Sequence, residues 1–500
     1  MSEPPESPES PTTNEPDDST SSESASVSAT PDAPANPPGK PAADERRAPP
    51  ARRVALIVYV VCTIVYAIFA GDRLLTHSPD NHFAYLADSY LHGTLAVRCT
   101  PQESARSVCP PGGGGNDWAR YENRWYVAFP SFPAVLYMPA VAIAGRDFRN
   151  RAYDVALAGI APALLYLLLE RLAREKRSQR SWKENVGLTA LFAFGTVYFF
   201  SVVQGSVWFT AHMVAAPLVV GMLWFALDAR NPLVAGLLLG IALHSRADLM
   251  YAAPWFAIEA LRVHRKDGGP MLSLPDESVS GWFVRLFRGA DWPKAIRASV
   301  LFAAPVAIAL ALTFLLNKLR FGDAGEVGYR YLQIRWRDRI DRWGLFNYHY
   351  LGRNLGIAFA SLPWFTRTFP YVVVSLHGLA LWVTTPHYLE LLRLRRREGD
   401  AYTPYVAVAA IVVALSVFLY QNSGWVQFGF RFSNDFAVFL IVLLAINGRR
   451  IGKLWIAAFV VAVVVNAFGA ATFDRQFRVR GQNISVYDND NTQTRYFQPD

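Results

Sequence analysis

VALIVYVVCTIVYAIFAG, residues 54–71, runs without a single charge. As a helix rising 1.5 Å per residue it reaches about 27 Å, close to the ~30 Å hydrocarbon core of a bilayer. Arg46, Arg47, Arg52 and Arg53 precede it, the pattern that holds a helix end on the cytoplasmic side. Comparable apolar runs, roughly 15 to 23 residues long, recur as far as Ala471. With 52% hydrophobic residues and 14 tryptophans, the sequence predicts an all-α polytopic membrane protein. The net charge of +9 is therefore read loop by loop as a topology signal. No nucleic-acid-binding module is expected.

Residues 1–50, rich in Pro, Ser and Glu, bury too little apolar surface to offset the entropy of ordering, so a disordered cytoplasmic tail is expected. No cleavable signal peptide is expected, because the apolar stretch starts after residue 50. A membrane domain then extends over 51–472, followed by a short outer tail, 473–500. Spans are expected near 54–71, 153–169, 186–203, 211–227, 232–245, 249–261, 298–317, 371–392, 403–420, 434–447 and 454–472, eleven in all. Segment 131–145, SFPAVLYMPAVAIAG, is short, about 22 Å as a helix, and contains Pro133 and Pro139. If it spanned, the cluster Arg171, Arg174, Lys176, Arg177, Arg180 and Lys183 would fall outside. A membrane-lying or re-entrant helix is expected instead. The outer loops are then 72–152, 318–368 and 421–433. Segment 268–297 reads as an interfacial helix whose Trp282, Phe283, Leu286 and Phe287 meet lipid.

Cys99 and Cys109 lie ten residues apart in the first outer loop, where either a disulfide or two free thiols suits the sequence; Cys62 sits inside a span.

The first span is followed by HSPDNHFAYLADSYLHG, residues 77–93, with two carboxylates and three histidines. Ser78, Pro79 and Asp80 signal a helix start and Gly93 a stop, so a short helix is expected over 81–92. Phe83, Leu86, Ala87 and Tyr90 form its apolar stripe and Asn81, Tyr85, Asp88 and His92 its polar one. In structural terms Asp80 is a helix cap and Asp88 with His92 an i,i+4 pair. His77, His82 and His92 with the aspartates are the groups a divalent cation would use, although their spacing is not that of a metal site.

The acidic short helix after the first span, the loop NDWARYENRWYVAFPSFPAVLYMPAVAIAG, the later loop opening NKLRFGDAGEVGYRYL and the many spans together resemble the GT-C integral-membrane glycosyltransferases. The likeness is to the protein O-mannosyltransferase and aminoarabinose-transferase branch, over roughly residues 54–470. The resemblance implies transfer of a sugar from a polyprenyl-phosphate carrier to a hydroxyl on a lipid, glycan or protein at the outer face, in the bacterial inner membrane. It also implies an essential acid just after the first span, matched by Asp80, with Asp88 second. In place of a pair of adjacent acids this chain has Asp80-Asn81.

An acceptor hydroxyl must lose its proton as it attacks the anomeric carbon, which suits an aspartate. The departing lipid phosphate needs positive charge. Arg246, Arg320 and Arg353 are the expected phosphate partners, and Arg431, His212, Trp208, Trp125 and Asp117 the further substrate contacts. Each also has a structural reading: Arg246 paired with Asp248, Trp208 as an interfacial anchor, the cations of 318–353 lying against headgroups. There is no phosphate-cradling glycine loop, no GxSxG elbow and no Cys/His zinc pattern. An O-antigen polymerase or ligase, with a lipid-diphosphate donor, is the alternative enzyme. A transporter would need paired repeats and mid-membrane ionisable residues, which the sequence lacks.

Overall fold

The computed structural model describes residues 49–488 apart from 107, 335, 395–397, 448–450 and 480–481. The expected tail up to residue 48, the last twelve residues, and Arg46, Arg47, Arg395, Arg396, Arg397, Arg449 and Arg450 lie outside the described residues. Five helical stretches are long and apolar enough to cross a membrane: Ala51–Arg73, Asn150–Arg174, Val207–Ala229, Trp292–Phe321 and Lys453–Thr472. Three shorter apolar helices, Phe132–Ala144, Pro232–Leu243 and Thr403–Leu419, join them.

Burial sorts the helices into an inner and an outer set. Asn434–Asn447 and Val207–Ala226 are buried almost all round, which only an apolar helix without a polar face tolerates. Ala51–Ala70, Trp292–Phe321 and Lys453–Thr472 instead expose apolar stripes, among them Ile64 and Ile68, Ile308 and Phe314, and Leu454 and Val464. Lipid covers such stripes in a membrane protein.

The chain alternates between two ends of the bundle. At one end Arg171 reaches Leu227 O, Arg262 binds Asp228, Arg180 reaches Leu444 O, and Ser273 N donates to Asp400 O. At the other, Ser78 N meets Asn150, Val207 N meets Asp80 O, Phe132 N meets His244 O and Arg320 reaches Val127 O. Helix Phe132–Ala144 starts at this second end beside His244, and the Arg146 that follows it binds Arg98 O and Glu103, also at that end. Both its ends therefore lie on one side of the bundle, as its short length implies.

Helix Pro232–Leu243 lies close along Trp292–Phe321 through Gly236 and Gly240. A Cβ on Gly236 would stand 2.0 Å from Phe302 O, and one on Gly240 3.0 Å from Pro305 O. Small residues four apart let two membrane helices approach backbone to backbone. That contact fixes the helix that carries Arg320.

Four expectations are corrected. Residues 371–392 do not form one spanning helix: strand Val372–Ser375 is followed by helix Leu381–Thr384 and a 3-10 stretch, Pro386–Arg393. Gly378 and Pro386 break any longer helix. The segment still passes from one end to the other, since Gln427 N binds Leu376 O and His387 Nε2 donates to Trp455 O. Its irregular backbone is tolerated because protein groups satisfy it, as where Asn466 donates to Thr384 O and Thr385 to Gly195 O. The stretch 186–203 is divided between helices Trp182–Phe194 and Tyr198–Val202, and 249–261 begins as the 3-10 turn series Ala247–Trp255. In helix Val279–Arg288, Trp282 and Leu286 are fully buried and do not meet lipid; Val279, Val284 and Phe287 are the exposed apolar residues. The i,i+4 pair Trp282 and Leu286 joins the main core because Arg265 donates to the carbonyls of Arg285 and Leu286 and holds the helix against it.

Candidate functional site

Cys99 and Cys109 form a disulfide, resolving the choice left by the sequence. It closes a loop that Arg146 steadies through Glu103 and Arg98 O. A hairpin follows, pairing Trp118–Tyr121 with Arg124–Val127. Directly before it Asn116 and Asp117 both take positive φ, 66° and 69°, a left-handed conformation that side-chain contacts must hold. The Asp80 carboxylate accepts from the Asn116 amide. His82, stacked on Trp118 with ring centres 4.0 Å apart, donates from Nε2 to Asn116 O at 2.9 Å. Trp208 Nε1 donates to Asp117 Oδ2 at 2.8 Å.

Asp80 is thus not a helix cap. Helix His82–Leu91 is capped by Asn81 without a side-chain bond, and Asp80 spends its carboxylate on the next loop. Burial first, then the nearby Asp474 and Asp117, push its pKa up to about 6, against the hydrogen bond from Asn116. Burial also raises Asp117, opposed by the Trp208 bond and by Arg431.

Asp117 lines a large cavity at this end of the bundle, and Asp80 does not. Leu310, Thr313 and Leu316 of helix Trp292–Phe321 form an apolar wall, continued by Met250 and Phe432. The polar wall carries Asp117, Arg246, Asn317, Arg320, Tyr329 and Arg431. The helix with the apolar wall turns Ile308, Leu312 and Leu315 outward, exposed. The cavity is therefore oily on the side nearest lipid and cationic beyond it.

The three arginines are in different states. Arg246 is engaged by Asp435, Nε to Oδ1 at 2.9 Å and Nη2 to Oδ2 at 2.7 Å, and by Asp248 at 3.3 Å. His212 Nδ1 meets the same Asp435 Oδ1 at 2.9 Å. The sequence-based pairing with Asp248 is real but secondary. Arg320 donates to Val127 O, Leu316 O and Asn317 Oδ1, and Arg431 to Val426 O. Neither has a carboxylate partner within 4 Å among the described residues. The Arg431 Nε is buried with no hydrogen-bond acceptor, in a residue 5% exposed. A buried cation with no carboxylate in direct contact is costly, and an anionic ligand is one group that offsets it.

Of the other expected residues, Trp208 lines the cavity, while Arg353 lies in a small adjoining pocket with Trp336, His377 and Trp425 and donates to Gln421 O at 2.7 Å. His212 is buried behind the cavity wall as a partner of Asp435. Asp88 is away from the cavity, paired with Arg98 at 3.3 Å and with His92 at 3.4 Å. Trp125 stands in the hairpin under Arg120 and outside the cavity lining. His77, His82 and His92 do not converge, and among the described residues no three His, Cys, Asp or Glu gather as metal ligands.

His244, Asn317, Tyr420 and Gln421 also line the cavity and were not singled out from sequence. The available signal was position: each stands within a few residues of a helix end, where a run of apolar residues gives way to a polar one.

No known family model matches the sequence, and no curated protein matches it. Two kinds of solved membrane protein are similar in chain path. One is ArnT from Cupriavidus metallidurans bound to undecaprenyl phosphate, with 10% identity, 83% of this chain and 64% of that chain covered, and a TM-score of 0.44. The other is the oligosaccharyltransferase AglB from Archaeoglobus fulgidus, in complex with an inhibitory peptide and a dolichol-phosphate, with 14% identity, 84% and 55% covered, and a TM-score of 0.43. This chain thus spans less than two thirds of the length of either of these two.

Proposed function

We propose that this protein is a glycosyltransferase that takes a sugar from a polyprenyl-phosphate carrier and passes it to a hydroxyl acceptor at the outer face of the membrane. One observation carries the reading: Arg320 and Arg431, which have no carboxylate within 4 Å among the described residues, share a cavity with a wall of Leu310, Thr313 and Leu316 that adjoins lipid. An amphipathic ligand with an anionic head and an oily tail satisfies both halves at once.

In this reading the carrier phosphate lies between Arg320 and Arg431. Asp117, not Asp80, accepts the proton, because its carboxylate lines the cavity and faces Arg431. The acceptor oxygen forms a bond to the anomeric carbon while the bond from that carbon to the phosphate oxygen breaks. The phosphate leaves with the electron pair, its new charge met by the two guanidinium groups, and the hydroxyl proton passes to Asp117. Asp80 is a positioning residue that holds Asn116 and so fixes Asp117. Arg246, neutralised by Asp435, shapes the wall.

The test is binding of a synthetic polyprenyl phosphate to the purified protein in detergent, compared with the matching polyprenol. Tight binding of the phosphate, weak binding of the alcohol and loss of that difference in R320Q/R431Q support the reading. Equal binding of phosphate and alcohol to the wild type overturns it.

A further inference from the structure

The hairpin that pairs Trp364–Phe365 with Val372–Ser375 projects a tip, FTRTFPY, whose residues line neither the large cavity nor its adjoining pocket and join none of the hydrophobic clusters among the described residues. Phe365 is 78% exposed, Tyr371 58% and Phe369 40%. Single exposed aromatics are ordinary on any surface, but three on one seven-residue tip are a patch.

The tip is held out by its root. Ala380 N donates to Ser361 O and Ser361 Oγ to Gly378 O at 2.6 Å, closing the base of the hairpin. The strand Val372–Ser375 also pairs in parallel with Tyr487–Asp488, so the root is stitched to the body. Part of the tip's backbone is tied internally: Thr366 N donates to Tyr371 O at 3.0 Å and Tyr371 N to Thr368 O at 2.9 Å, while the side chain Thr366 Oγ1 donates to Thr368 O at 2.8 Å. These bonds tie off the Thr366, Thr368 and Tyr371 groups and leave the other tip amides to the water and headgroups of the interfacial zone.

The patch also continues the lipid-covered surface of the bundle. Trp382, partly exposed, donates from Nε1 to the carbonyl of exposed Phe359, and Phe359 packs on Phe418 with ring centres 5.9 Å apart. Phe418 ends helix Thr403–Leu419, which turns Ile411 and Leu415 outward. Exposed apolar surface thus runs up that helix, across Phe359 and Trp382, towards the hairpin. From Ser361 to Tyr371 there is no acidic residue and one cation, Arg367. Aromatic rings with an arginine among them match the boundary of acyl chains and phosphate headgroups.

We infer that residues 364–371 are a membrane-dipping finger: Phe365, Phe369 and Tyr371 enter the interfacial zone of the leaflet at the cavity end of the bundle, and Arg367 meets lipid phosphate. The occupant is the lipid bilayer itself. A second copy of the chain is the rival, and the test separates the two.

The cysteine chemistry makes the experiment direct. Of three cysteines, Cys99 and Cys109 are paired and Cys62 is buried, so Thr368→Cys in the full chain places one reactive thiol at the tip. The thiol is labelled with an environment-sensitive fluorophore, and the protein is placed in phosphatidylcholine–phosphatidylglycerol vesicles. Asp474→Cys, exposed at the same end, serves as the water-facing control. The finger predicts blue-shifted emission, strong quenching by lipids with a nitroxide at the headgroup or high on the acyl chain, and little quenching by aqueous iodide. It also predicts that these signals stay constant as protein is diluted into more lipid, and that F365S/F369S shifts the label towards iodide access. Quenching by iodide equal to that of the Asp474 label overturns the inference. So does shielding that disappears on dilution, which would assign the patch to a second copy.

Discussion

Arg246 and Asp435, 189 residues apart in sequence, join beside the cavity in a two-pronged ion pair, with the Asp435 side chain wholly buried. His212 shares the same carboxylate. The pair links the loop after helix Pro232–Leu243 to the start of helix Asn434–Asn447, so it braces two elements that carry cavity residues.

Removing one partner strands the other charge in the interior. D435N is expected to lose about 3–5 kcal/mol of stability, measured as thermal unfolding in detergent. R246K is expected to lose most of that as well, because an ammonium cannot make the two-pronged contact. The paired apolar replacement R246M/D435L is expected to be more stable than either single variant.

The packing of Gly236 against Phe302 yields a second expectation. G236A brings a Cβ onto a backbone carbonyl that cannot swing aside, and the overpacking costs about 1–3 kcal/mol. Because the displaced helix carries Leu310, Leu316 and Arg320, carrier binding weakens along with stability. Gly352, whose added Cβ meets nothing within 4 Å, is the control site.

Asp80 and Asp117, in the loop after the first span, both respond to pH. Asp80 is pushed up to about 6 from an ordinary value of 3.8, so its folded form holds a proton more tightly than the unfolded chain does. Its contribution therefore favours the folded state below about pH 4 and is lost as pH rises through about 6. D80N, which keeps an acceptor for Asn116, is expected to unfold no earlier than wild type near pH 7. For transfer the sign is opposite, since the base must be ionised: the rate falls on acidification at a pH above the ordinary carboxylate range, because burial raises Asp117. Taking away the neighbouring negative charge in D80N moves that acid limb to lower pH. A pH–rate profile of both proteins checks the two shifts.

Reducing the Cys99–Cys109 bridge, or replacing it in C99S/C109S, releases a loop of about a dozen residues. The stability lost is about 3 kcal/mol by the chain-entropy estimate. The loss is local: amide exchange rises across 98–110 and at Arg146, which that loop binds, while the bundle core stays protected.

The run 54–71 could be read as a membrane helix because eighteen uncharged apolar residues allow little else, and the basic cluster 171–183 marked its end of the bundle for the same reason. Segment 371–392 misled because its apolar content is that of a span, while Gly378, Pro386 and its satisfied irregular backbone depend on neighbours such as Asn466 that composition does not reveal. Trp282 was assigned to lipid because periodicity gives an apolar stripe without saying whether lipid or protein covers it. At the site, the loop after the first span drew notice through its acids, but Asp80 and Asp117 could be ranked only once the cavity wall was traced. Arg353 and Arg431 looked alike as outer-loop cations; packing put one in the adjoining pocket and the other, with an unpartnered Nε, in the cavity.

The most direct test of the central claim is transfer of a labelled sugar from synthetic polyprenyl-monophosphate sugars to a crude envelope-lipid and glycan extract by purified wild type, D80N and D117N. The account predicts transfer by wild type, loss in D117N with polyprenyl-phosphate binding retained, and a smaller loss in D80N. Unimpaired transfer by D117N, or transfer by wild type from diphosphate-linked donors alone, would contradict it.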